Sequence, residues 1–143
     1  MNEIPLLTLP LYLAGFTLTM ILIANFVAPV KLDYRSNVAR MEPLHREIFN
    51  VHCLYTILTV GGMAALCFAF PGELTGGSRL ARALLWFFGG YWGLRVLVQL
   101  FYYNREIKAR FPIFNVLFTL AFVYLGIVFL GLAFRTTFYL CVR

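Results

Sequence analysis

Apolar and polar positions are segregated along this chain into four long apolar stretches separated by short charged connections. The stretches run over residues 5–30, 48–70, 83–103 and 111–134, to within a residue or two. Each has about twenty residues or more, enough for a helix rising 1.5 Å per residue to cross a ~30 Å hydrocarbon core. With so little chain left over, no polar face remains for a soluble protein to turn toward water. The expected fold class is all-α, an integral membrane four-helix antiparallel bundle, with residues 1–143 forming a single transmembrane domain. The first stretch reads as a true span. It carries Glu3 rather than a basic leader, its apolar run is too long for a signal peptide, and no A-x-A-like site follows it.

The connections are short. Pro71-Gly72-Glu73-Leu74-Thr75-Gly76-Gly77-Ser78 is turn chemistry throughout. Asn104 to Arg110 is expected to be a tight charged turn, closed by Pro112. In the longest connection, Lys31 to Glu47, the second half is expected to run into span 2 as helix, with Pro43 in its first turn. One tetrapeptide recurs: Ile48-Phe49-Asn50-Val51 opens span 2 and Ile113-Phe114-Asn115-Val116 lies near the start of span 4. Two helical hairpins related by duplication, or coincidence in an apolar chain, both account for it. Gly89 with Gly93, and Gly61 with Ala65, are small-xxx-small pairs that let helices approach closely. Most aromatics, such as Trp86 and Trp92 toward one interface and Tyr102 and Tyr103 toward the other, fit interfacial belts.

Composition sharpens this picture. Only 13% of residues are charged, about half of what a soluble domain carries, and the mean hydropathy is +0.82. The net charge of +6 does not imply nucleic acid, because the bases sit where spans end and form no single stripe. Lys31, Arg35, Arg40, Arg46, Arg105, Lys108 and Arg110 fall on one side, and Arg79, Arg82, Arg135 and Arg143 on the other. This bias predicts cytoplasmic connections at 31–47 and 104–110 and termini outside. Cys53, Cys67 and Cys141 form no C-x-x-C pair, so the thiol relay of membrane oxidoreductases is absent.

The informative residues are those that are costly inside a bilayer. Asn25, His52, Gln99 and Asn115 each lie four or five residues below the expected cytoplasmic end of their span. That spacing predicts one polar layer, with Thr56, Arg95 and Thr119 about a turn deeper. Arg95 stands apart. An arginine at mid-helix costs about 2.5 to 3.5 kcal/mol on insertion scales and is seldom left facing lipid. The four stretches contain no Asp or Glu to pair with it. Carbonyls, Gln99, tyrosines, water, a partner subunit or an anionic ligand are the remaining means of satisfying it, and Tyr91, one turn away, is placed for a cation–π contact. The bland reading of the other groups is interhelical hydrogen bonding.

Most chemistry fails for lack of residues. His45 and His52 are the only histidines and lie two turns apart on one helix. They cannot clamp one haem from both sides, so haem at His52 or His45 requires a second subunit or a methionine ligand. Glu42-x-x-His45 lacks the facing carboxylates of a di-iron site, and no metal site is expected. The only serines, Ser36 and Ser78, lie in loops, which excludes an intramembrane triad. In outline the chain is similar to membrane enzymes of the microsomal glutathione-transferase type, yet Asn37 to Asn50 departs from that family's charged Arg/Asn/Glu pattern.

Two expectations follow. The first is a non-catalytic accessory or structural subunit of a membrane complex, whose partners are lipids and other membrane subunits or its own copies. The second is a carrier or enzyme holding a small anionic, lipid-headgroup or quinone-like ligand. Its cytoplasm-side polar pocket is built from Arg95, Gln99, His52, Asn115, Asn25, Thr56, Thr119 and Tyr91.

Overall fold

The computed structural model describes residues 4–31, 34–102 and 112–141. Four helices among them are long and apolar enough to cross a membrane, so this is a multi-pass, all-helical membrane protein. Span 1 is α1 (Ile4–Lys31) and span 2 is α3 (Pro43–Ala69). Span 3 is α5 (Arg79–Leu97), continued by a π-helical segment at Val98–Tyr102, and span 4 is α6 (Pro112–Cys141). Two short helices occupy the connections, α2 (Tyr34–Ala39) and α4 (Pro71–Thr75). The turn expected at Asn104–Arg110 lies outside the described residues.

Local sequence accounts for the boundaries. Pro43 takes the first position of span 2, where its missing N–H costs nothing. Span 3 begins four residues before its apolar stretch, because the Ser78 side chain accepts a hydrogen bond from Ala81 N at 3.1 Å and caps the helix. Residues 71–75 form a helical turn rather than an open loop, with Pro71 at its start. Gly77, at φ 75°, then reverses the chain in the left-handed region that glycine tolerates best. Span 4 runs past Arg135 to Cys141, since a basic residue near an interface is no obstacle to helix.

The helices approach in pairs. Span 1 lies along span 2 and span 4 along span 3, while spans 1 and 4 make a less extensive seam. Spans 2 and 3, though joined by the short α4 link, nowhere approach with comparable closeness. The molecule is therefore two hairpins meeting along spans 1 and 4.

Burial is uneven along the bundle axis. The core comprises Leu11 to Ile21 of span 1, Val60 to Cys67 of span 2, Ala81 to Trp92 of span 3 and Phe122 to Thr136 of span 4. This is the half nearest the α4 link and the chain ends. In the other half no residue from Pro43 to Thr59, and none from Pro112 to Ala121, is buried. Gln99 is the one side chain of span 3 beyond Trp92 to be buried among the described residues.

Candidate functional site

Spans 3 and 4 are zipped in antiparallel register along their length. Trp86 meets Phe134 edge-on at 4.7 Å, Phe88 meets Phe129 at 5.3 Å and Trp92 meets Phe122 at 5.4 Å between ring centroids. Gly89 makes this closeness feasible: a Cβ there would lie 2.6 Å from Leu130 Cδ2 and 3.1 Å from the Leu130 backbone nitrogen. The Gly89 and Gln99 positions both face span 4. At the far end of the zip, Gln99 Nε2 donates to Asn115 Oδ1 at 2.7 Å. Of the residues named from the sequence, these two are brought together across helices.

The others are arranged differently. Asn25 Nδ2 donates to Ile21 O at 2.9 Å, Thr56 Oγ1 to His52 O at 2.9 Å and Thr119 Oγ1 to Asn115 O at 2.7 Å. Each closes a bond to the preceding turn of its own helix. His52 is exposed on span 2. Register separates it from Asn25. Gly61 sits against Leu22, with 3.9 Å from an added Cβ to Leu22 Cδ2, which sets Asn25 level with the stretch near Leu58. His52 then lies six residues, roughly 9 Å, farther along the axis. The single layer expected from counting inward from span ends is thus staggered, because the spans do not all start at the same height. The hairpins are themselves offset: Tyr124 Oη, midway along span 4, donates to Pro10 O near the start of span 1 at 3.2 Å.

Arg95 occupies an exposed flank of span 3. Its guanidinium carbon lies 5.3 Å from the centroid of the Phe122 ring, a distance within the cation–π range. Tyr91, the aromatic partner expected from spacing, instead packs its ring edge-on against Trp92 at 5.3 Å. Phe122 lies four residues before Gly126, which faces Gly93, so its backbone stands level with the stretch just beyond Arg95 toward Tyr102. Sequence spacing alone gave the depth of Arg95 but not this ring contact. Among the described residues it makes no ion pair. Trp92, 2% exposed, carries an indole N–H that is buried and has no hydrogen-bond partner.

No protein-family model matches the chain, and neither a curated protein nor a solved structure matches it.

The histidines sit apart from this centre. His45 Nδ1 lies 3.2 Å from Glu42 Oε2, with both side chains mostly exposed at the start of span 2, as expected of a solvated helix beginning. Among the described residues no three His, Cys, Asp or Glu side chains gather to hold a metal.

Proposed function

We propose that this chain is a non-catalytic accessory or structural subunit of a membrane protein complex, with its more basic connections in the cytoplasm and its termini outside. One observation carries the reading. Arg95 presents a guanidinium on an exposed flank of a membrane-spanning helix, beside the Phe122 ring and without an ion pair among the described residues. Bare exposure of that group to acyl chains is costly. A phenyl face offsets part of the cost, and assembly with another membrane protein removes the rest. The sparse burial among the described residues in the same half of the bundle supports this, since large apolar side chains such as Leu54, Leu58, Leu97 and Leu117 are exposed there.

The polar side chains of this region lend less support to a ligand pocket. Gln99 and Asn115 are bonded to each other, and Asn25, Thr56 and Thr119 to their own helices. The test is crosslinking in the native membrane, then gentle extraction and native mass spectrometry. A defined complex with another membrane protein is the expected result, and Arg95→Met should loosen it. A chain recovered as a lone monomer that retains a small anionic molecule would falsify the subunit reading.

A further inference from the structure

Arg95 belongs to the inward-facing stripe of span 3. It follows Phe88 by two helical turns and Tyr91 by one, intervals that return to the same side of a helix. Along that stripe Phe88 is buried in the core, Tyr91 is half-buried against it and Arg95 is exposed. Span 2 fades in the same way. Cys67, Ala64 and Val60 are buried, whereas Ile57 and Cys53, which continue their stripe, are only half-buried. The two helices share a core near the α4 link and lose cover from their inner faces toward the other end. Spans 2 and 3 make no close seam that would shut this region off. The guanidinium therefore lines a gap that opens sideways to lipid.

Charge, walls and height together select an occupant. Among the described residues Arg95 has no ion pair, and the apolar stretches hold no Asp or Glu. In the connections at this end, 31–47 and 104–110, seven Lys and Arg outnumber four Asp and Glu. The gap thus calls for net negative charge, and a zwitterionic headgroup would bring a cation that finds no carboxylate there. The walls are apolar, with Ile57 on span 2 and the Phe122 ring, 5.3 Å from the guanidinium, on span 4. A dissolved anion would leave water for such walls at a cost, whereas an anion carrying acyl chains belongs among them. Height agrees. A Cβ on Gly126 would lie 3.8 Å from Gly93 N, which sets Phe122 level with Leu97, roughly 8 Å short of Tyr102. A long side chain reaching up and a headgroup settling slightly close such a distance.

We infer that the gap between spans 2 and 3 seats one anionic phospholipid, with its phosphate on Arg95 and an acyl chain along the inner faces. The inference goes beyond the subunit reading, because the site lies within this chain. The counter-charge for Arg95 arrives with the lipid, whichever protein covers the flank. Gln99 and Asn115, bonded to each other, are not called upon.

The test titrates the full chain, purified in a non-ionic detergent, with dioleoyl phosphatidylglycerol, dioleoyl phosphatidylcholine or glycerol phosphate. Bound species are counted by native mass spectrometry. One phosphatidylglycerol should bind roughly tenfold more tightly than phosphatidylcholine, the scale of one charge-assisted hydrogen bond, and glycerol phosphate should not bind at the same concentrations. Arg95→Met should erase the preference and Arg95→Lys should keep most of it. Arg46→Met, at the start of span 2, should leave it unchanged. Equal binding of the two lipids by the wild-type chain overturns the inference, as does a preference that survives Arg95→Met. Glycerol phosphate binding as tightly as phosphatidylglycerol also overturns it, by making this a site for a free anion. A native complex that holds no phospholipid removes the lipid and leaves the subunit reading. A lone chain that holds phosphatidylglycerol removes the subunit reading and leaves the lipid.

Discussion

The same four residues, Ile-Phe-Asn-Val, stand near the start of span 2 and of span 4, yet the two asparagines end in different circumstances. Asn50 is exposed at the beginning of span 2. Asn115 is half-buried and accepts a 2.7 Å bond from Gln99. The difference lies in the hairpins around them. Spans 3 and 4 stay in contact from Trp86–Phe134 down to Gln99–Asn115, whereas the buried part of span 2 begins only at Val60, ten residues beyond Asn50. A local motif does not decide whether a polar side chain becomes a bridge. The reach of the packed interface does.

Substitutions that test the contrast differ in size. The largest effect is expected at Gly89. A methyl group there meets both the side chain and the backbone nitrogen of Leu130, and backbone cannot rotate away, so Gly89→Ala should destabilise the span 3–4 hairpin by about 1–3 kcal/mol. The hairpin of spans 1 and 2 offers a gentler counterpart. At Gly15 the three atoms nearest the added one are outer ring atoms of Phe68, at 2.9 to 3.1 Å, and that ring can swing aside. Gly15→Ala should therefore cost less than Gly89→Ala, by reversible unfolding in the same detergent micelles. Equal costs would mean that both hairpins are packed alike.

Next comes the bridge itself. Asn115→Leu removes the partner of Gln99 and should cost about 0.6 kcal/mol, the average for interhelical polar contacts in membranes. Asn50→Leu, the same change in the other copy of the motif, should shift stability by no more than about 0.5 kcal/mol. The smallest effect is expected at Gly90, where an added Cβ meets nothing within 4 Å. Gly90→Ala should leave unfolding unchanged or raise stability slightly, through helix propensity. A large loss there would show that this face of span 3 is covered within the chain.

Most of the architecture was legible in the residues because hydrophobic length is a strong constraint in lipid. The four apolar stretches and the helical entry at Pro43 correspond to observed helices. The boundaries missed had polar causes. Ser78 started span 3 early by capping it, and span 4 outran its apolar stretch beyond Arg135. Of the candidate site, a common level for Gln99 and Asn115 and the cost of Arg95 could be read from residue type and depth, but not which members of the layer would pair. The separation of Asn25 from His52 could not be read, because counting from span ends assumes a common starting height that the Leu22–Gly61 register does not respect. Nor could the choice of Phe122 over Tyr91 as the ring beside Arg95, since it depends on a neighbouring helix.

The zipped pairing of spans 3 and 4 also bears on how the protein enters a membrane. Span 3, which carries Arg95 and Gln99, is the least apolar of the four, and span 4 is the most. A marginal segment is more easily held in the bilayer when a strongly lipid-seeking neighbour satisfies its polar groups. Here that neighbour supplies a ring for the guanidinium and an acceptor for the amide. The two most costly side chains of span 3 thus find their company inside the same hairpin.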